Sequence, residues 1–256
     1  MDLHFRQHGT PGKDPTLILL HGLFGSSANW GGVARRLSAD FHLVVPDLRN
    51  HGRSPHHADV SYAVQAQDVL RLMDRLGVGD SVIVGHSMGG KVAMMLALQH
   101  ADRVERLVAA DIAPVTYTTS FDPIFDALES VDLEQVEGRE QVESHLAATL
   151  GNTGLRNFLM QNLVKDEHGW RWRLNLVGLR RSIDELVGFP DAPDSGYPGP
   201  ALFIYGGRSD YVSPAAQPVI MRLFPYARLR QVADAGHWLI AEKPDEFAGA
   251  LRSFVT

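Results

Sequence analysis

The chain has 256 residues, of which 45% are apolar and 21% charged, and its formal net charge is −6. These values are typical of a globular protein that can hold one large α/β domain with an insertion, and they exclude the basic surplus by which proteins bind nucleic acid. The absence of cysteine excludes disulfides, thiol nucleophiles and thiolate metal sites, and it favours a cytoplasmic location. Met1–Asp14 lacks the apolar core of a signal peptide and no apolar run is long enough for a membrane span, so we expect neither.

Strand patterns recur along the chain. Alternation predicts an edge strand over Leu3–His8, and a continuous apolar run predicts a buried strand over Thr16–Leu20. Further strands are predicted at His42–Asp47, at the run beginning with Val82, at Val104–Ile112, at Ala201–Tyr205 and at Ala227–Val232. Helical periodicity between them predicts helices over Asn29–Leu37, Tyr62–Leu76, Lys91–His100, Pro214–Phe224 and Pro244–Phe254. This alternation predicts a doubly wound, mostly parallel sheet.

The alternation stops between residues 115 and 197. Helices are predicted there over Ile124–Val131, Arg139–Leu150, Leu155–Leu163 and Leu176–Leu186, with a short extended piece at Trp170–Leu174. We therefore expect a core domain built from residues 1–114 and 198–256 and a helical cap over residues 115–197. Phe189–Pro200, rich in proline, aspartate and glycine, is the predicted return linker.

A glycine-bracketed serine follows the strand that begins at Val82. Gly85-His-Ser-Met-Gly89 has the Gly-x-Ser-x-Gly spacing, in which the glycines make room for a sharp turn with Ser87 at its apex. The helix that follows directs its free amides toward the serine, and Met88 would supply one amide to a developing oxyanion. The pattern alone also fits an ordinary glycine-rich turn, so its position at the end of a strand is what favours a nucleophile.

A serine nucleophile needs a base and an acid that orients the base. His237 lies after the last predicted strand, in the chain order serine, acid, histidine. Two carboxylates could serve as the acid. Asp111 follows the strand next to the nucleophile strand, whereas Asp210 lies near the Gly-x-x-Asp position after Ala201–Tyr205, where the sequence has Ser209 instead.

Two other loops carry polar residues. Asp47 and Arg49 are interpreted as a buried ion pair that shapes the loop after the third strand. His51, His56 and His57 are placed in an exposed loop, where a metal site is disfavoured because no carboxylate stands at ligand spacing. His21 and His86 are interpreted as hydrogen-bonding supports, and no metal or other cofactor is expected.

Five blocks of sequence together resemble the YbfF-type bacterial esterases and the eukaryotic alpha/beta-hydrolase domain-containing protein 11. The blocks are His21-Gly-Leu-Phe-Gly-Ser26, Asp47-x-Arg-Asn-His-Gly52, Gly85-His-Ser-Met-Gly-Gly-Lys91, Asp111-Ile-Ala-Pro114 and Ala235-Gly-His-Trp238 with Ala241-Glu-Lys-Pro244. In the cap the resemblance rests on Asn162-Leu163, Trp170 and Asn175-Leu176. The resemblance spans nearly the whole chain.

The resemblance implies an α/β-hydrolase fold with an eight-stranded sheet, and esterase or acyl thioesterase activity on short to medium acyl chains without a cofactor. It implies that Leu23 gives the second oxyanion amide and it favours Asp111 over Asp210. The expected partner is a small-molecule ester or thioester, and the chain is expected to act as a monomer or a dimer.

Aromatic side chains are the candidates for an apolar substrate pocket over Ser87. They are Phe24, Phe121, Phe125, Phe158, Trp170 and Trp238, with Leu159 and Trp172 as further candidates. Lys91 and Arg208 could meet an anionic substrate or could be solvated surface residues. Perhydrolase, carbon-carbon bond hydrolase or lyase activity on the same residues, and a ligand sensor without turnover, remain alternative functions.

Overall fold

The main sheet has seven strands. A computed structural model describes residues 1–190 and 195–256. The sheet contains β1 (Phe5–His8), β2 (Thr16–Leu20), β3 (His42–Pro46), β4 (Ser81–His86), β5 (Val104–Ala110), β8 (Ala201–Gly206) and β9 (Ala227–Val232), and a separate hairpin contains β6 (Leu163–Asp166) and β7 (Gly169–Trp172). The order in the sheet is β1-β3-β2-β4-β5-β8-β9. Since strands β2 and β4 lie side by side, the loops after them meet at one edge.

The prediction of eight strands is wrong for the described residues, which form seven in this sheet. Residues 1–15, which precede β2, form one strand, β1, and the turn that follows it. That strand pairs antiparallel with β3, whereas every other pair of neighbours in the sheet is parallel. The predicted doubly wound, mostly parallel arrangement is confirmed.

Helices cover both faces of the sheet. The helices connecting its strands are α1 (Gly31–Leu37), α2 (Tyr62–Leu76), α3 (Met88–Gln99) and α9 (Gln217–Leu223), and two further helices, α10 (Leu239–Glu242) and α11 (Pro244–Val255), follow the last strand. Successive residues of the central strands belong to two separate apolar clusters, one on each face of the sheet. Ile18 and Ile83 pack on one face, and Leu17 and Val82 pack on the other. This is the reason that the central strands are apolar throughout, since side chains of successive residues point to opposite faces.

Between β5 and β8 the chain forms an insertion, which we define as residues 115–190. Its helices are α4 (Asp122–Glu129), α5 (Arg139–Ala147), α6 (Thr153–Met160), α7 (Leu176–Arg181) and α8 (Ile183–Val187). The predicted helix over Leu155–Leu163 ends earlier, because Leu163 begins β6 and pairs with Trp172 of β7. The predicted helix over Leu176–Leu186 is two helices, separated at Ser182. Part of the predicted return linker, residues 191–194, lies outside the described residues.

The loop after β3 differs from its prediction. The side chain of Arg49 is 3% exposed and pairs with Asp68 of α2, with 2.6 Å between Nη2 and Oδ2. Asp47 instead accepts hydrogen bonds from the backbone amides of Ser27 at 2.6 Å and Arg53 at 2.9 Å. The predicted Asp47–Arg49 pair is therefore wrong. Arg49 binds a side chain of α2, whereas Asp47 binds backbone amides of its own loop and of the loop after β2.

His51 is fully buried, which corrects its predicted place in an exposed loop, whereas His56 and His57 are exposed. Within residues 1–190 and 195–256 no cluster of three histidine, aspartate or glutamate side chains suited to a metal ion is found. Over the same residues, no helix is both long enough and apolar enough to cross a bilayer.

Candidate active site

Ser87 occupies a sharp turn between β4 and α3. Its backbone has φ 52° and ψ −120°, a left-handed conformation that costs energy for a residue with a side chain. The turn depends on its glycines: a Cβ on Gly85 would lie 2.1 Å from the carbonyl oxygen of Gly89, and a Cβ on Gly89 would lie 2.4 Å from that of Leu20. No side chain fits at either position, so the Gly-x-Ser-x-Gly spacing is a steric requirement of this turn.

A chain of hydrogen bonds links Ser87, His237 and Asp111. Nε2 of His237 lies 3.1 Å from Oγ of Ser87, and Nδ1 lies 2.7 Å from Oδ2 of Asp111. The Asp111 carboxylate can only accept, so Nδ1 of His237 carries the proton and Nε2 has a free lone pair directed at the serine hydroxyl. His237 comes from the loop after β9, and Asp111 directly follows β5.

Asp111 is fully buried and its carboxylate accepts three hydrogen bonds. Besides His237, the donors are the amide of Gly206 at 2.9 Å and Oγ of Ser209 at 2.5 Å. Ser209 thus supports the carboxylate from the position where a Gly-x-x-Asp pattern would place an aspartate. Asp210, the alternative acid, is exposed. The sequence pattern showed Ser209 at the Gly-x-x-Asp position, with the carboxylate displaced to Asp210, and predicted no role for Ser209.

Two rings contact the imidazole of His237. Tyr211 stacks on it, with 4.1 Å between ring centroids and 21° between planes, and His86 lies 4.9 Å from it. Nε2 of His86 donates to the backbone carbonyl of His237 at 2.7 Å. Burial, with a smaller effect of His237, lowers the pKa of His86 to about 3, so this supporting imidazole is neutral. His86 is thus a hydrogen-bonding support, as its sequence position suggested.

The loop after β2 carries Leu23, the residue predicted to give an oxyanion amide. Leu23 and Ser87 line the same cavity, and Met88 is the first residue of α3. Within the described part of the chain, the N–H groups of Leu23 and Met88 have no hydrogen-bond acceptor. His21 Nδ1 donates to the carbonyl of Gly22 at 2.8 Å, so His21 supports this loop.

A cavity of about 680 Å³ opens over Ser87 and His237. Four of the predicted pocket residues line it, namely Phe24, Phe121, Phe158 and Trp238. Residues that sequence reasoning missed also line it, among them Ile124, Leu155, Tyr211 and Ile240. Periodicity could not identify them, because it shows that a helix has an apolar face and does not show what that face covers.

The other predicted pocket residues lie elsewhere. Phe125 is fully buried under Phe24, with 5.1 Å between their ring centroids, and Leu159 is also fully buried. Trp170 has Nζ of Lys165 over its ring at 5.3 Å, and Trp172 donates from Nε1 to the carbonyl of Leu128 at 3.0 Å. None of these four is on the wall of the large cavity. Phe125 instead packs against Phe24 of the core, whereas Trp170 and Trp172 contact other residues of the insertion.

A second cavity, of about 30 Å³, adjoins Ser87 beside Lys91. Lys91 is 1% exposed, and its Nζ donates to the carbonyls of Val187 at 2.8 Å and Gly188 at 2.6 Å. It is therefore neither a solvated residue nor a surface site for an anion. Burial lowers the pKa of Lys91 to about 7, and a neutral amine has two N–H donors for these two carbonyls. Arg208, by contrast, is exposed and pairs with Glu242.

This chain resembles known proteins in both sequence and fold. The model of the alpha/beta hydrolase family matches residues 17–250. The chain belongs to this family. It is 38% identical to the esterase YbfF of Escherichia coli strain K12 over 240 residues, which cover 93% of this chain and 92% of that protein. It is 41% identical over 249 residues to the sn-1-specific diacylglycerol lipase ABHD11 of Mus musculus, covering 94% of this chain and 81% of that protein.

Solved structures include a protein described as a marine microorganism esterase. Its TM-score is 0.95 at 38% sequence identity, and the match covers 99% of both chains. The resemblance to this hydrolase family is therefore confirmed, and the relatives agree with the predicted enzyme class, a hydrolase of ester bonds.

Replacing the carboxylate that contacts His237 tests the choice of acid. We expect Asp111→Asn to lower kcat by about 10⁴-fold, because an amide in this place favours the wrong imidazole tautomer. Asp210→Asn is the matched control and should leave kcat within about twofold of the unchanged protein. Steady-state ester hydrolysis measures both. The reverse ranking would assign the acid to Asp210.

The pKa of Lys91 predicts a pH-dependent stability. Between pH 7 and about 10.4, the ordinary pKa of lysine, the unfolded chain holds a proton that the folded protein has released. Stability rises with pH wherever the unfolded state binds more protons. We therefore expect the free energy of unfolding to rise between pH 7 and pH 9.5 relative to Lys91→Met. Urea titrations at both pH values measure this difference, and parallel pH dependences would contradict a neutral Lys91.

Proposed function

We propose that this protein is a serine hydrolase that cleaves carboxylic esters or acyl thioesters through an acyl-enzyme, with Ser87 as nucleophile, His237 as base and Asp111 as orienting acid. The observation that carries the proposal is the continuous hydrogen-bonded chain, 3.1 Å from Ser87 to His237 and 2.7 Å from His237 to Asp111. Both distances are within the range for direct proton transfer between such groups.

In the acylation half, Oγ of Ser87 attacks the carbonyl carbon while Nε2 of His237 takes its proton. A bond forms between Oγ and carbon, and the carbonyl π electrons move onto oxygen. When the tetrahedral intermediate collapses, the bond to the leaving alcohol or thiol breaks and Nε2 returns the proton to it. Asp111 stays ionised and stabilises the imidazolium that exists between these two transfers.

In the deacylation half, a water molecule takes the place of the departed alcohol. His237 removes one proton from it, and its oxygen attacks the acyl carbon. The bond to Ser87 then breaks, Oγ recovers the proton, and the carboxylic acid leaves. In both halves the N–H groups of Leu23 and Met88 donate to the negatively charged oxygen, which is usually a large contribution to the lowering of the barrier.

The substrate proposal is based on the two cavities. The large one, about 680 Å³, is bounded mostly by apolar side chains and is in the size range of small-molecule sites, so it would hold an acyl chain of short to medium length. The small one, about 30 Å³, has room for a single water or methyl group. The insertion, with the linker that follows it, would form the predicted cap over residues 115–197, and its Leu155 and Phe158 would limit acyl length.

The names of the relatives support an apolar substrate, since one is a diacylglycerol lipase and others are esterases. A small-molecule partner and a cytoplasmic location stay predictions. The alternative functions share the same three residues, and they differ in whether turnover occurs and in what attacks the acyl-enzyme.

Covalent labelling tests the nucleophile. We expect a fluorophosphonate probe to label the wild-type protein at a single site and to leave Ser87→Ala unlabelled, because only an activated serine attacks the probe. Wild-type protein should also sustain p-nitrophenol release from p-nitrophenyl acetate over many turnovers. A single stoichiometric burst would identify a sensor, and labelling that survives in Ser87→Ala would overturn the proposed nucleophile.

Filling the large cavity tests the acyl assignment. Leu155→Trp adds volume to its wall, so we expect kcat/KM for p-nitrophenyl octanoate to fall about tenfold relative to that for p-nitrophenyl acetate. Val177→Trp is the control, since Val177 is an exposed residue of α7 and lines neither cavity. An equal fall for both esters would place the leaving group, rather than the acyl chain, in the cavity.

A further inference from the structure

Phe24, the residue after Leu23, has a left-handed backbone that is held from two sides. Its φ is 61°, a region that residues with side chains rarely adopt. Its N–H donates to Nε2 of His51 at 3.2 Å, and its carbonyl accepts from Nδ2 of Asn162 at 2.8 Å. Such a conformation persists only where the surroundings enforce it, and here one of the enforcing groups belongs to the insertion.

The peptide groups on both sides of Leu23 are held as well. The peptide group between Gly22 and Leu23 consists of the Gly22 carbonyl and the Leu23 N–H. Its carbonyl accepts hydrogen bonds from His21 Nδ1 and from the amide of Gly25. The next peptide carries the N–H of Phe24, which His51 accepts. The third carries the carbonyl that Asn162 binds. Three consecutive peptides thus each have a fixed partner, and the first of them holds the proposed oxyanion donor.

Asn162 is itself rigid. It is 3% exposed, its backbone N–H donates to the carbonyl of Leu159, and its carbonyl accepts from Arg173. Its Nδ2 also lies 3.2 Å from the carbonyl of Leu159, so the side-chain amide is oriented within the insertion before it reaches the core. A side chain fixed in this way can set the position of the carbonyl that it binds.

Other contacts join the insertion to core loops without touching this backbone. Asn175 donates from its backbone to the carbonyl of Asn50 at 3.1 Å and from Nδ2 to Oδ1 of Asn50 at 3.0 Å. Gln161 accepts from Asn29 at an exposed position. Neither Asn50 nor Asn175 lines a cavity at Ser87. The Asn175–Asn50 contact therefore attaches the insertion to the core without a contact to the loop after β2.

We propose that Asn162 is a positioning residue, which holds the carbonyl of Phe24 so that the Leu23 amide points at the developing oxyanion. The insertion would then complete the oxyanion site in addition to covering the substrate. This inference rests on the proposed function. It assigns to Asn162 a role in transition-state stabilisation, because an oxyanion donor must stand within a fraction of an ångström of its productive place.

The test compares Asn162→Ala and Asn162→Ser with Asn175→Ala, using the full chain and p-nitrophenyl acetate. We expect both Asn162 variants to lower kcat by about tenfold or more, with KM changed less than about threefold, because the interaction acts mainly in the transition state. The inhibition constant of a trifluoromethyl ketone, which forms a tetrahedral oxyanion on serine, should rise by the same factor as kcat falls. Serine is too short to reach the Phe24 carbonyl, so it removes the contact while keeping a polar side chain.

Asn175→Ala removes a comparable contact between insertion and core, and we expect its kcat to stay within about threefold of wild type. Circular dichroism identifies the variants that are folded, and a single folded Asn162 variant is sufficient for the test. Equal loss of kcat in the Asn175 variant, or an unchanged kcat and inhibition constant in an Asn162 variant, would overturn the inference. Failure of the proposed function is distinguishable, because wild-type protein would then show no turnover that depends on Ser87.

Discussion

The left-handed backbone of Ser87 is the constraint on which the site depends. The nucleophile must stand clear of the strand end, and the chain can turn there only because residues 85, 89 and 90 have no side chain. A Cβ on Gly90 would lie 2.4 Å from a methyl carbon of Ile112, in addition to the clashes at Gly85 and Gly89. Helix α3 consequently packs against the ends of its neighbouring strands, and this packing brings the loop after β2 and the residue after β5 to the serine.

Neutral imidazoles join the loops around this turn. Burial lowers the pKa of His21 below its ordinary value and lowers the pKa of His51 to about 3. Each neutral ring has one donor and one acceptor, and both are used: His21 donates to the Gly22 carbonyl and accepts from the Leu48 amide, while His51 donates to the Arg49 carbonyl and accepts from the Phe24 amide. The loops after β2 and β3 are thus linked without a charge that would oppose the imidazolium of His237.

Much of the architecture could be predicted from the sequence because it depends on local patterns. Continuous apolar runs predicted the parallel strands, and Ser87, Asp111 and His237 could each be assigned to the segment that follows a predicted strand. Contacts between distant segments could not be predicted in this way. The partner of Arg49 is Asp68 of α2, which lies 19 residues further along the chain. Phe125 packs against Phe24 and Trp170 against Lys165 rather than lining the large cavity, and the sequence does not rank such competing neighbours. The eighth strand was implied by the resemblance, and no segment of residues 1–190 and 195–256 adds it to the sheet.

The stacking of Tyr211 on His237 has a consequence for the catalytic cycle. Tyr211 stacks on the imidazole, His86 lies beside it and Asp111 binds Nδ1, and these three contacts restrict rotation about the side-chain bonds of His237. The same nitrogen must then face the alcohol as it leaves and the water as it arrives. The proposed reaction would therefore proceed through both halves without a change of rotamer, and the only mobile participants at the reacting carbon would be the two small molecules that exchange places there.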